Sequence, residues 1–436
     1  MKNVLLYSAS AAALAMAAPS AAQSLQNSDV LQNGDDNMAV VSQTGNEGMS
    51  DIDQNGDDNL AEVTQTENPN AGSNSFNVPA NEATINQIGD NSRARITQNS
   101  DNPGSNPGNS ATINQESEAP AGNQVPSGYA LNGRIIQDGA SNRSQIDQGG
   151  LNIVADPDTA GSGVTARNEQ YGTANQSDIV QDIRNDTANP YSDIDVIQDG
   201  ERNSSFVQQR GSDSDVDVMQ TGMDNDSSVI QGAEGEMTAM VTQSGSLNVS
   251  EVEQRDFDVL ATVNQAGTDS FSRIYQDDDA FGSEATLIQG ADADGAYSLI
   301  EQTNTSSTAF VEQVSGDAIS NVYQNDGSDA VANVYQAGGL GLSSTITQSG
   351  DLQEADVDQF GSNNTSDITQ ENGTGLGDNL AKVYQEGTGN DSDIFQTGTG
   401  NVADVSQYNS GNYSNVYQSG ENNTATVVQT GPAGAM

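Results

Sequence analysis

The chain has no cysteine, no histidine and no tryptophan. Without cysteine there is no disulfide framework and no thiolate metal site, and without histidine the usual proton shuttle and zinc ligand are missing. Ser, Asp and Glu are abundant enough to form chance carboxylate pairs, but glycoside hydrolysis needs two carboxylates in one unique cleft. The reading is therefore not an enzyme. Basic residues are scarce, 12 Lys and Arg against 62 Asp and Glu, for a formal net charge of −50. Nucleic acid is excluded as a partner, because its phosphates demand Lys and Arg, and anionic membranes are excluded on the same ground. Apolar residues make up only 33% and aromatics 5%, too little for the two or three conventional cores that 436 residues would suggest. A chain this polar stays disordered or pairs its backbone in a repeating way that needs little core.

Long apolar runs are also missing, save one at the start. Lys2 gives a positive start, Val4 to Ala18 is apolar, and Ser20-Ala21-Ala22 places small residues at a cleavage position, so residues 1–22 read as a secretory signal peptide. The run is shorter than the ~20 residues of a spanning helix and no second one follows, so no membrane insertion is expected. Proline is confined. After Pro19 it occurs at Pro69, Pro79, Pro103, Pro107, Pro120, Pro126, Pro157 and Pro190, then at Pro432, and residues 191–431 have none.

That proline-free stretch carries a repeat. From Gln198 through Gln209, Gln220 and Gln231 to Gln429, glutamine recurs in steps of which fourteen of twenty are 11 residues. Two residues before each of these glutamines stands Val, Ile or Leu. Four before stands Ala or Ser, except at Ile194 and Val216, and six before is often Asn. Even offsets put these positions on one face of an extended strand, with Asp, Thr, Glu, Asn and Tyr on the other. Gly commonly follows two residues after Gln, as in Gln32-Asn33-Gly34 and Gln54-Asn55-Gly56. It supplies positive φ, so each short strand ends in a tight turn.

From Ser227 to Ala425 the small residue alternates strictly between Ser and Ala. Two units of about 11 residues therefore form one coil that folds back once, with Ser strands stacked on Ser strands and Ala strands on Ala strands. The expected fold is all-β: a β-solenoid of strand-turn-strand coils with two facing, parallel, in-register sheets, capable of forming amyloid. Its amides should form ladders along the stack, drawn from Gln32, Asn37, Gln43, Gln54, Asn59, Gln65, Gln231, Asn248, Gln254, Gln385, Asn390, Gln396, Asn401, Gln407, Asn412, Gln418, Asn423 and Gln429. The organisation reads as the signal peptide (1–22), first repeats (23–66), repeats interrupted by long loops (67–190), a regular array (191–431) and a tail (432–436). Within the interrupted part Gln87, Gln98, Gln115, Gln137 and Gln148 keep the strand signature, each with Ile two residues before.

One coil buries about two large aliphatic side chains at ~1.5–3 kcal/mol each, against ~1–2 kcal/mol to order each residue's backbone. A lone coil is unstable, and its stability comes from neighbours on both sides. Intact units near both ends, at Gln32 and at Val427 with Gln429, show no capping sequence and are expected to template another copy.

The motif Gln-x-Gly-x-x-Asn-x-Ala/Ser-x-Val/Ile-x-Gln resembles the curlin repeat. Gln32, Gly34, Asn37, Ala39, Val41 and Gln43 match it position by position, as do Gln407, Asn412, Ser414, Val416 and Gln418, with Tyr408-Asn409 in place of the x-Gly pair. The resemblance covers most of residues 26–430. It implies export through a bacterial outer membrane, polymerisation at the cell surface, and a role in adhesion and biofilm matrix. The implied partners are other copies of the chain, a nucleator subunit and an outer-membrane secretion apparatus. The chain departs from the usual pattern in its many repeats, its loop-rich middle, and the lack of a long non-repeat segment after Ala22.

No cofactor is expected. Acidic turns such as Asp35-Asp36-Asn37, Asp57-Asp58-Asn59 and Asp277-Asp278-Asp279 carry oxygens suited to Ca²⁺, but ordinary solvated turn chemistry is the favoured reading. Tyr275, Tyr323, Tyr335, Tyr384, Tyr417 and Phe395 precede the ladder glutamines and should face outward, as strand formers or as contacts to sugars or neighbouring fibres. The alternative to a fibre subunit is a monomeric secreted solenoid acting as an adhesin, or a nucleator or surface-binding protein.

Overall fold

The computed structural model describes residues 26–45, 48–67, 81–100, 108–118, 131–151, 163–184, 191–211, 213–232, 235–277, 279–371 and 378–431. Residues 1–22, read above as a signal peptide, the tail 432–436 and every proline lie outside them, as do most of the residues read as long loops. Among the described residues every regular element is a β-strand, and no helix is long and apolar enough to cross a membrane.

The chain divides into two compact units, Met1–Arg202 with Val207–Ser212, and Asn203–Phe206 with Asp213–Met436. Both are built the same way. Successive strands go alternately to two sheets, and each strand pairs in parallel with the strand two places on. This is a β-solenoid of two parallel sheets. In the first unit one sheet runs from Asn27–Asn33 and Met49–Asn55 to Gln176–Arg184, the other from Met38–Thr44 and Leu60–Glu67 to Tyr191–Glu201. The described strands of residues 82–184 are thus coils of the same stack, and their long insertions do not break the register.

In the second unit the predicted sorting is complete. One sheet stacks Ser227, Ser250, Ser272, Ser298, Ser320, Ser344, Ser366, Ser392 and Ser414 in register. The other stacks Ala239, Ala261, Ala285, Ala309, Ala332, Ala355, Ala381, Ala403 and Ala425. The first unit is less strict: Ala83 and Ala111 stand in the column of Ser50 and Ser144, and Gly133 stands between Ala94 and Ala166. Ile194 follows Ala166 in that column and Val216 stands beside Ala239, both buried, so the position favours small residues that let the sheets approach closely and also accepts a β-branched aliphatic.

The strands alternate between buried and partly exposed residues, as in Val259–Gln265 and Tyr297–Thr305. The buried face holds the small residue, the aliphatic and the glutamine. Ile52, Ile85, Ile113, Ile146 and Ile179 form one continuous fully buried column. The core is therefore one side chain of each kind per strand, repeated, and no single coil encloses it.

Candidate functional site

Many of the turns that close the strands use two left-handed residues. Gly34 has φ +124° and Asp36 +54°, Gly56 +139° and Asp58 +59°. Gly is required at the first of these, because a Cβ on Gly34 would run into the carbonyl of Gly56 one coil on, and one on Gly398 into that of Gly420. At the second, Asp and Asn tolerate the same region. Asn409, standing where the motif has glycine, takes φ +69°, which explains why the unit at Gln407 folds without it.

The predicted glutamines meet as continuous rows. Gln32 Nε2 donates to Gln54 Oε1 at 2.7 Å and Gln54 to Gln87 at 2.8 Å, while Gln43 donates to Gln65 at 2.7 Å and Gln65 to Gln98 at 2.9 Å. Further on, Gln231 donates to Gln254, Gln385 to Gln407 and Gln396 to Gln418, each at 2.9 Å, and Gln407 to Gln429 at 2.8 Å. Most of these Nε2 groups have a second bond that the repeat pattern did not reveal, to a backbone carbonyl of the facing sheet. Gln254 donates to Thr238 O at 3.0 Å, Gln396 to Leu380 O at 3.0 Å and Gln429 to Tyr413 O at 2.7 Å. One amide thus ties neighbouring coils together and closes its own arc.

The asparagines act on the turns. Asn37 Oδ1 accepts the backbone N–H of Asn59 at 3.0 Å, and Asn59 Nδ2 donates to Gly89 O at 2.7 Å. Asn248 donates to Ser244 O and Gly267 O, both at 2.9 Å. Asn390 Oδ1 accepts from Asn412 N at 3.1 Å, and Asn401 Oδ1 from Asn423 N at 3.1 Å. These buried amides satisfy backbone groups that a tight arc would otherwise leave unpaired. Where Asn is replaced, Ser supplies some of the same bonds. Ser270 N donates to Asn248 Oδ1 at 3.2 Å and Ser270 Oγ to Ala293 O at 2.7 Å.

Two ladder members were not among the glutamines named from the sequence. Gln170 links Gln137 to Gln198, each bond 2.8 Å, but the residue two before it is Asn168 rather than an aliphatic. Asn168 is buried and donates to Ser144 Oγ at 2.8 Å. Gln181 accepts from Gln148 at 2.8 Å. It carries the full signature Asn175, Ser177 and Ile179, so the signal was present.

The acidic turns spend oxygens on the backbone: Asp57 Oδ1 accepts Asp35 N–H at 2.6 Å, and Asp90 Oδ1 accepts Asp57 N–H at 2.7 Å. Among the described residues no group of three or more acidic side chains is arranged to hold a metal ion; Asp278 lies outside them. The outward aromatics form short ladders. Tyr335, Phe360, Tyr384 and Tyr408 follow one another at 5.6, 5.5 and 5.6 Å, and Phe395 stacks on Tyr417 at 5.3 Å.

A family model described as the curlin associated repeat matches residues 192–232, 343–371 and 378–408. Each matched segment lies in the array read as regular, and each contains the strand, amide and turn geometry given above. A search of curated proteins finds no match. The curlin repeat is a structural unit rather than an enzymatic one, and repeats on a β-solenoid fit a curli-like structural subunit. Over these three segments the chain carries curlin repeats.

Proposed function

We propose that the chain is the structural subunit of an extracellular, curli-like amyloid fibre, secreted by a bacterium for adhesion and biofilm matrix and extended by end-to-end stacking of coils. The supporting observation is at the strand edges that carry no partner among the described residues. Ala425, Val427 and Gln429 are only half-buried, whereas Ala403, Val405 and Gln407 in the same columns are buried. At the other edge Val30 is 36% exposed where Ile52 beside it is 0% exposed. Setting Asn27–Asn33 of one copy on Tyr413–Glu421 of another continues the rows, with Ser28 on Ser414, Val30 on Val416 and Gln32 on Gln418. Met38–Thr44 on Thr424–Thr430 likewise brings Ala39 to Ala425 and Gln43 to Gln429. Each aliphatic side chain so covered contributes ~1.5–3 kcal/mol, and both strand edges gain backbone partners.

Electron microscopy and fibre diffraction of the purified mature chain test this. Unbranched fibres with a meridional reflection near ~4.8 Å are expected. A chain that stays monomeric at high concentration contradicts the proposal and favours a monomeric solenoid adhesin, while growth only on fibres of another subunit identifies a partner for a nucleator.

A further inference from the structure

Only 12 residues of the chain are basic, yet three arginines far apart in sequence fall in one row on the outward face of the first unit. In the register of that sheet Glu62 stands beside Arg95, Arg95 beside Arg134, Arg134 beside Arg167, and Arg167 beside Asp195. The result is three guanidiniums at steps of ~4.8 Å, closed by a carboxylate at each end. The outer two are well paired: Arg95 Nη2 lies 2.7 Å from Glu62, and Arg167 lies 2.9 Å from Asp195 and 2.7 Å from Glu169. Arg134 reaches Glu169 only at 3.8 Å and its side chain is 44% exposed. That carboxylate already accepts from Arg167 and, at 2.9 Å, from the Tyr171 hydroxyl. Two unit charges one strand step apart repel by ~0.9 kcal/mol even in water, so the middle of the row favours an anion laid across it.

The second unit carries a complement. From residue 213 onward the basic residues are Arg255, Arg273 and Lys382 alone. Asp367 and Asp393 stand side by side on neighbouring strands, and Asp391 lies two residues before Asp393 on the same outward strand face, beside Thr365. Burial, then the carboxylates of Asp393 and Asp391, push Asp367 up from its ordinary range, and the Tyr413 hydroxyl, donating to Asp393 at 3.3 Å, is the polar neighbour from the adjoining strand. Asp367 and Asp393 are one strand step apart, the spacing of neighbouring arginines in the row, because both are columns of the same fold, and Asp391 adds a third carboxylate beside them. A row of charges matches best a partner whose opposite charges sit at the same spacing, and a second copy of this chain supplies such a pair at Asp367 and Asp393.

We propose that the Arg95–Arg134–Arg167 row of one copy docks on the Asp367, Asp391 and Asp393 carboxylates of a second copy, joining molecules side by side. The contact uses outward faces, whereas end-to-end stacking uses strand edges, so the two associations are separable. The test compares wild type, Arg134→Glu, Arg134→Gln and Asp393→Arg by electron microscopy of fibre width and by assembly lag time. Sedimentation of the soluble chain at low and high salt reads the same contact if no fibres form. Arg134→Glu is expected to weaken side-by-side association about tenfold or more, Arg134→Gln less, with lag time and circular dichroism unchanged. Mixing Arg134→Glu with Asp393→Arg is expected to restore it. Side-by-side association by Arg134→Glu equal to wild type, or no restoration in the mixture, overturns the proposal. So does loss of retention on a uronic-acid polysaccharide with side-by-side association intact, which assigns the row to that polymer instead.

Discussion

Replacing Gln254 by glutamate keeps the shape of the side chain and exchanges a donor for an acceptor at one buried point. Gln254 is 0% exposed. Its Nε2 donates to Gln276 Oε1 at 2.9 Å, Thr238 O at 3.0 Å and Val259 O at 3.3 Å, while its Oε1 accepts from Gln231. In Gln254→Glu three acceptors lose their donor, at about 1 kcal/mol or more each, and a carboxylate is buried against oxygens, which adds several kcal/mol. The sum, roughly 4–7 kcal/mol, is comparable with the whole stability of an ordinary domain. Gln429→Glu is the matched control: it keeps the acceptor for Gln407 and loses only the bond to Tyr413 O at a half-exposed edge, so about 1 kcal/mol or less is expected. Urea denaturation followed by far-ultraviolet circular dichroism, at concentrations and times short of assembly, measures both. The midpoint of Gln254→Glu is expected to fall far below wild type at pH 7 and to recover in part on acidification, as the protonated acid regains one donor. Equal midpoints for the two variants at pH 7 would refute the claim that buried amides hold the coils together.

Further consequences can be measured with the same assay. The hydroxyls of Ser227, Ser250, Ser272, Ser298, Ser320, Ser344 and Ser366 are buried with no hydrogen-bond partner, so Ser272→Ala is expected to raise stability by about 1 kcal/mol, and a loss of that size contradicts this. Gly398→Ala meets both a φ of +104° and the Gly420 carbonyl and should cost ~2–3 kcal/mol, whereas Asn409→Gly, already at positive φ, should be near neutral. Burial, then neighbouring carboxylates, raise Asp358, Asp367 and Asp391 above their ordinary values. The folded chain then binds more protons than the unfolded one just above the usual aspartate range, so stability rises as pH falls through those raised values. Glu169 has the opposite sign. Burial pushes it up, but hydrogen bonds from Arg167 and Tyr171 with the arginine charges outweigh that and hold it low, so its contribution is lost as pH falls through its lowered value. Asp367→Asn with Asp391→Asn should therefore flatten the rise in urea midpoint on acidification, and an unchanged pH profile would argue against the assignment.

The strand face and the ladders were legible because the same even offsets recur from coil to coil, and a column reads along the sequence whenever its period is steady. Ser272 and Ala261 sort into different sheets for that reason. The pattern failed where one position was exchanged, as with Asn168, whose amide finds Ser144 across the coil and so takes the place of an aliphatic. It also failed to reveal bonds between unlike positions, such as Gln254 to Thr238 O, since backbone carbonyls leave no mark in a sequence. The arginine row was hidden because irregular insertions separate Arg95, Arg134 and Arg167, and only the register of the folded strands brings them into line.

The most direct test of the account is the helical rise of the fibre measured by electron cryomicroscopy. If coils of one chain stack and chains follow end to end, the strand spacing is ~4.8 Å while the rise from one chain to the next is many times that, with Ala425 of one copy above Ala39 of the next. A rise of ~4.8 Å per chain, with every residue stacked on its own copy as in a flat cross-β filament, would contradict it.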